Sequence, residues 1–271
     1  MFGPQDLTAI IGERINPTGR KKMADEFKEG RFDTALSDAR AQAEAGSDYI
    51  DVNVGAAGVD EEEMLPRLVN EVAGVTGLPV CVDSADPKAL AASLKRYDNP
   101  EAIVNSVTGD EDSMSSVLPL VAESGCYVIA MTKDRTGIPA TPEDRLSLAS
   151  RVVKRALGLG IPREKVLVDC LTIPAATEGG AASITLSSIE MIVSELGCPV
   201  ALGASNISFG MPMRPTINAA FLSMAVRAGL RAAIVNPLEP GLVTSIRAAD
   251  FLLGNDRMGR AYLNYYRSRK E

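Results

Sequence analysis

Residues 79–87 read Pro-Val-Cys-Val-Asp-Ser-Ala-Asp-Pro. Val80, Cys81 and Val82 form the short, continuous apolar run of a strand buried on both faces. Asp83 and Ser84 then break the run, and Asp86-Pro87 supplies a helix N-cap followed by proline at the first helical position. Nine residues thus spell the joint between a strand and the helix after it.

The same unit recurs in both directions. Toward the N-terminus lie Leu7 to Gly12, followed by Glu13, and Tyr49 to Val54, which carries Asp51 and Asn53. Toward the C-terminus, Ala102 to Val104 leads to Asn105 and Ser106, Tyr127 to Met131 to Thr132, and Val166 to Val168 to Asp169. Val200 to Gly203 leads to Ser205 and Asn206, and Ala232 to Val235 ends in Asn236. Between them, Phe32 to Ala45, Glu61 to Val75, Pro142 to Leu157, Ser183 to Leu196 and Arg214 to Ala228 repeat apolar residues every three or four positions, the pattern of helices lying on strands. Gly46, Gly77, Gly125 and Gly229 stand where a left-handed cap turns a helix into the next strand. Eight right-handed βα units predict an α/β fold, a (β/α)8 TIM barrel, with a doubly wound open sheet as the alternative. No linker or low-complexity tract divides the chain, so residues 1–271 are expected to form a single domain.

Composition narrows the chemistry. The 46% hydrophobic content is mostly aliphatic, as in a packed globular core. A formal charge of -7 without a basic run argues against a nucleic-acid partner. No apolar run reaches the roughly 20 residues that span a bilayer, and no signal-peptide layout opens the chain, so no membrane partner and a cytoplasmic location are expected. Cys81, Cys126, Cys170 and Cys198 are widely spaced in apolar surroundings and read as reduced core thiols. The chain contains no histidine. Histidine triads, histidine acid/base catalysis and histidine-ligated metals are therefore excluded for this chain acting alone.

Barrel active sites sit at the C-terminal ends of the strands, which here carry Glu13, Asp51, Asn53, Asp83, Asn105, Asp169 and Asn206. Asp and Asn are also ordinary turn and cap residues, so one alone signifies little; their presence at most strand ends points to a ring of acids and amides. Such a ring suits a flat heterocycle with several N–H donors along one edge, such as the 2-amino-4-oxo edge of a pterin. Adenine or flavin edges would fit as well, but Gly55 to Gly58 and Gly179-Gly180 lack the spacing of a phosphate-binding loop. Magnesium on Asp51, Asp83 and Asp169 ranks below these readings, because the ring holds nearly as many amides as acids; no metal is expected.

Several stretches together resemble the methyltetrahydrofolate:corrinoid protein methyltransferases, of the pterin-binding methyltransferase family. They are Ile11-Gly12-Glu13-Arg14-Ile15-Asn16, Asp51-Val52-Asn53-Val54-Gly55, Cys81-Val82-Asp83-Ser84, Val104-Asn105-Ser106 and Gly203-Ala204-Ser205-Asn206-Ile207-Ser208. Met131, Lys133 through Pro139, Asp169 and Arg214-Pro215 through Asn218 continue the match along essentially the whole chain.

The resemblance implies an enzyme, a homodimeric barrel that moves a methyl group between N5 of tetrahydrofolate or 5-methyltetrahydrofolate and the cobalt of a corrinoid (cobalamin), in a direction the sequence leaves open. With no region assigned to hold the corrinoid, a separate corrinoid-binding protein is the expected partner. The resemblance places the pterin on Asp83, Asn105 and Asp169 through its pyrimidine edge, with Asn206 near N5. It adds Glu13, Asp51, Asn53, Ser208 and Arg214 to the pterin site, although Arg14 and Arg214 serve equally well as structural ion-pair partners. For catalysis, Asn206 is expected to hydrogen-bond N5 as charge develops, with a solvent proton relayed by Asp169 or Asp83.

Two other readings stand beside it. One is a non-catalytic pterin-binding subunit. The other is dihydropteroate synthase, which shares the barrel but resembles this chain less: it carries Ser-x-Arg and a terminal His at its last strand and a lysine near the seventh, whereas here the eighth strand reads Ala233-Ile234-Val235-Asn236-Pro237 and the seventh ends at Asn206. Phe209-Gly210-Met211-Pro212 departs from the methyltransferase pattern, standing where that pattern is more polar.

Overall fold

Eight strands, β1 (Ala9–Ile15), β2 (Tyr49–Val52), β3 (Val80–Asp83), β4 (Ile103–Val107), β5 (Tyr127–Met131), β6 (Val166–Asp169), β7 (Val200–Gly203) and β8 (Leu230–Val235), close on themselves in a computed structural model that describes residues 2–268 except Glu178. Every pairing is parallel and β1 pairs with β8, so the sheet is a closed barrel in sequence order and the open-sheet alternative is ruled out. The outer ring contains α1 (Lys21–Lys28), α2 (Asp33–Glu44), α3 (Glu61–Thr76), α4 (Pro87–Arg96) and α5 (Glu111–Ser124). It continues with α6 (Pro142–Gly158), α7 (Ala181–Met191), α8 (Arg214–Ala228), α9 (Leu242–Leu252) and α10 (Arg260–Ser268). Among the described residues no helix is long and apolar enough to cross a membrane.

The junction at residues 83–87 has the expected local chemistry. Asp86 caps α4 by accepting the Lys88 amide at 2.9 Å, with Pro87 in the first turn. Gly77, Gly125 and Gly229 end α3, α5 and α8 in the left-handed conformation, at φ of 68°, 66° and 118°, while Gly46 falls one residue past the cap of α2. Boundaries shift in places. β1 runs to Ile15, so Glu13 lies within the strand rather than after it, and β4 runs to Val107, enclosing Asn105 and Ser106. The helix expected to reach Leu196 leaves regular α geometry at Met191 and finishes as a π turn over Ile192–Leu196.

Because side chains alternate along a strand, every strand presents one row to the helices and one to the barrel axis. The outer row, with Ile10, Val52, Val82, Val104, Val128, Val168 and Leu202, joins the helix faces in the main core. The inner row forms its own cluster: Ile11, Tyr49, Cys81, Ile103, Ile129, Leu167, Ala201 and Ile234. At the floor Phe2 enters this cluster, stacked on Tyr49 with ring centroids 5.8 Å apart and edge-on to Tyr127 at 5.1 Å. The four cysteines are free and buried.

The β8–β1 closure is stitched by buried polar groups. Asp250 on α9 accepts the Thr8 amide at 2.9 Å and its hydroxyl at 3.0 Å. Arg247, on the same helix, donates to the Thr8 carbonyl at 2.8 Å and to Asp48 at 2.9 Å, and Asp48 also accepts the Ile10 amide.

Candidate functional site at the barrel mouth

Two residues beyond the last apolar member of the inner row, the same alternation delivers a polar side chain in six of the eight strands: Ile11 to Glu13, Tyr49 to Asp51, Cys81 to Asp83, Ile103 to Asn105, Leu167 to Asp169, Ile234 to Asn236. They line a cavity of about 590 Å³ at the C-terminal end of the barrel, together with Asn206. Of the sequence-predicted residues, Glu13, Asp51, Asp83, Asn105, Asp169 and Asn206 meet there. Asn53, Ser208 and Arg214 do not reach the wall. They hold those that do: Asn53 donates to Asp83 at 2.9 Å, and Arg214 donates to the Ser208 hydroxyl at 3.0 Å and the Ser205 carbonyl at 2.9 Å, fixing the turn around Asn206. Of the two arginines weighed as ion-pair partners, Arg14 does approach Asp38, at 3.7 Å.

The ring is presented mainly as acceptors. Asn105 gives its amide N–H to Asp51 at 3.1 Å, which leaves its oxygen for the cavity. Asp83 uses Oδ2 for Asn53, whose own oxygen is fixed by the Gly55 amide at 2.7 Å. Asp169 accepts the Leu171 amide at 2.7 Å, an orientation reached with Leu171 in the left-handed region at φ 59°. Glu13 accepts from the Ser205 hydroxyl at 2.6 Å. Asn206 is exposed, and its side chain makes no hydrogen bond among the described residues.

Four carboxyls in one enclosed mouth disfavour full ionisation. Burial pushes Asp169 up to about 6, against the amides of Leu171 and Gly203 and the more distant charges of Arg145 and Lys133. Burial likewise carries Asp83 to about 6, opposed by the Asn53 hydrogen bond and reinforced by Glu61. Asp51, buried and facing the Asp83 charge, is held well above the ordinary carboxylate range. Glu13 is raised by burial and by Glu239, against the Ser205 hydrogen bond and Arg214. Asp51, held upward by burial and the Asp83 charge, stands behind Asn105, while at neutral pH Asp83 and Asp169 are largely ionised, as acceptors for a donor-rich ligand edge.

Sequence reading missed part of the wall. Ser106, Met131 and Asn236 line the cavity, and so do Arg14 from β1 and Asn16, Thr18 and Arg20 from the segment after it. Asn236 and Met131 carried a usable signal, each two residues after an inward-facing core residue, and Asn16 closes one of the quoted motifs. Thr18 and Arg20 carried none, since no periodicity governs where a loop folds. Supporting partners were also invisible: Gln42, buried on α2, accepts the Arg14 amide at 2.9 Å, and Glu61 accepts the Ser84 hydroxyl at 2.7 Å.

A closed parallel barrel whose inner top layer is a ring of acids and amides around an open cleft defines a (β/α)8 protein with a polar small-molecule site. Residues 12–236 match the pterin-binding enzymes, and the chain belongs to that family. It is 33% identical over 269 residues to the methylcorrinoid:tetrahydrofolate methyltransferase of Eubacterium limosum, covering 96% of this chain and 97% of that protein. It is 30% identical over 250 residues to the methionine synthase of Mycobacterium leprae, covering 87% of this chain but 20% of that longer protein. Among solved structures, a dihydropteroate synthase from Clostridium difficile, crystallised with pteroic acid, superposes with a TM-score of 0.71 at 19% identity, covering 93% of this chain and 99% of that one. That likeness is one of fold.

Proposed function

We propose that this enzyme moves a methyl group between N5 of (methyl)tetrahydrofolate and the cobalt of a corrinoid carried on a separate protein. The observation that carries the reading is the acceptor edge of Asp83, Asn105 and Asp169, which lines one cavity together with Asn206. A reduced pterin offers the 2-amino group and ring N–H donors on one side and N5 on the other. With its pyrimidine edge on Asp83, Asn105 and Asp169, its N5 lies toward Asn206. The near end-to-end likeness to a methylcorrinoid:tetrahydrofolate methyltransferase supports the same substrates.

The protein's own part is positioning and charge. The N5–methyl bond leaves a poorly stabilised nitrogen unless positive charge or a proton is accommodated there. The free Asn206 carboxamide provides a hydrogen bond that strengthens as that charge develops, so it acts mainly in the transition state. The corrinoid supplies the nucleophilic cobalt when demethylating the folate. Its approach is from the open side of the cleft, where Phe209, Met211 and Met213 expose apolar surface beside Asn206. Residues 1–271 act in this reading as one pterin-binding domain of a cytoplasmic homodimer, although the extreme ends of that span lie outside the described residues.

Dihydropteroate synthase chemistry is disfavoured because β7 and β8 bring Gly203, Asn206 and Asn236 to the cavity where that enzyme needs cations. The test is an anaerobic spectrum of cob(I)alamin with methyltetrahydrofolate and catalytic protein. Conversion to methylcobalamin supports the transferase. Folate binding without conversion, on free and on protein-bound corrinoid alike, leaves a non-catalytic pterin-binding subunit.

A further inference from the structure

Resting on that reading, we infer that Glu13 is the acid that exchanges the proton at N5. Asp169 and Asp83, the carboxyls first suited to a proton relay, are committed elsewhere. Both belong to the acceptor edge that takes ring N–H groups, and both are already tied by donors of the protein, Leu171 and Asn53. Asp83 stands on β3, and Asp169, although on β6 next to β7, is held by the backbone amides of Leu171 and Gly203 and not by the turn that carries Asn206. Glu13 stands on β1, reaches the cavity, and bonds to Ser205, the residue next to Asn206. Of the four carboxyls in the mouth it is the one hydrogen-bonded to the Ala204–Ser208 turn itself.

Its surroundings suit a proton carrier. Ser205 donates to Oε1, and the Asn236 backbone amide also donates to the carboxyl. Around it stand Glu239 and Asn236 from the segment after β8, Arg214 at the start of α8, and Asp51 on β2. Glu239 receives the amide of buried Asn218 at 3.3 and 3.4 Å to its two oxygens, a carboxylate fixed close to Glu13. An anion so placed favours the protonated form of its neighbour, while Arg214 opposes it.

The step balances without further reactants. In demethylation the N5–methyl bond breaks and its electron pair stays on N5, the methyl carbon joins the Co(I) pair of the corrinoid, and the Glu13 O–H proton passes to N5. The products are tetrahydrofolate, methyl-Co(III) and Glu13 carboxylate, and the reverse reaction retraces the same path.

The test compares Glu13→Gln with Asp83→Asn and Asp169→Asn. With Glu13→Gln, methyltetrahydrofolate should bind within about threefold of wild type, while methyl transfer slows about 100-fold in both directions, the scale of lost general-acid catalysis. The pH–rate profile should lose its carboxyl limb, and infrared difference spectra of the folate complex should lose one protonated-carboxyl carbonyl stretch. Glu13→Asp should recover part of the rate. Asp83→Asn and Asp169→Asn should instead raise the folate dissociation constant and keep the limb. Unchanged turnover in Glu13→Gln, or a loss of folate affinity matching its loss of rate, overturns the inference while wild-type conversion still upholds the transferase. No conversion by wild type overturns both.

Discussion

Asp169 concentrates the electrostatic character of the mouth in one side chain. Burial lifts its pKa from 3.8 to about 6, so the folded state binds its proton at a higher pH than the unfolded chain does. The stability it contributes is complete below 3.8, worth about 3 kcal/mol for a shift of about two pH units, and is lost as pH rises through 6. Asp51, Asp83 and Glu13 shift the same way. Thermal denaturation should therefore show the melting temperature rising as pH falls from 7 toward 5, and Asp169→Asn should flatten that rise. Folate affinity should fall over the same interval, as acceptors of the edge take up protons. Asn206 acts differently, being exposed and free of internal partners. Asn206→Ala should lower kcat about 100-fold, the scale of a lost transition-state donor, with the folate dissociation constant nearly unchanged.

Individual strands show why so much of the site was legible and where legibility stopped. A period of two fixes which residues face the axis, so Asp51 after Tyr49 and Asp83 after Cys81 were readable as site residues from order alone. The same rule accommodates Glu13 once β1 is known to continue to Ile15, an extension hidden by the polar Glu13-Arg14 pair. Ser208 and Arg214 matched motif positions yet serve the site from behind, because a resemblance marks what matters without saying whether it touches the ligand. Thr18 and Arg20 were unreadable because the path of the chain after β1 depends on its packing. Packing also explains Gly12. A Cβ there would lie 2.5 Å from the Gln42 carboxamide oxygen and 2.9 Å from the Ser47 hydroxyl, both in buried residues beside β1. Gly12→Ala should destabilise the protein by about 1–3 kcal/mol, as overpacking does, and slow methyl transfer by displacing Glu13; chemical denaturation and a turnover assay check the two effects.

The whole molecule depends on a closure that no local pattern reveals. Eight βα units were countable, but the alternative of an open sheet was settled only by the hydrogen bonds of β1 to β8. Asp250 and Arg247 fasten that seam from α9, and neither stood out in the sequence, since a buried acid looks like a surface one until its partner, 242 residues away, is placed beside it. Asp250→Ala strands the amide of Thr8 and leaves its hydroxyl only the Leu230 carbonyl, at 3.4 Å. It should destabilise the fold by about 3 kcal/mol and lower the melting temperature by about 5 °C, with activity at low temperature retained.

Phe2, lodged between Tyr49 and Tyr127, makes the barrel a blind well and not a pipe. Exchange with bulk water is then confined to the open rim. A planar ligand across that rim narrows the only route, so an abrupt change of bulk acidity should reach the carboxyls more slowly with the ligand docked than without it.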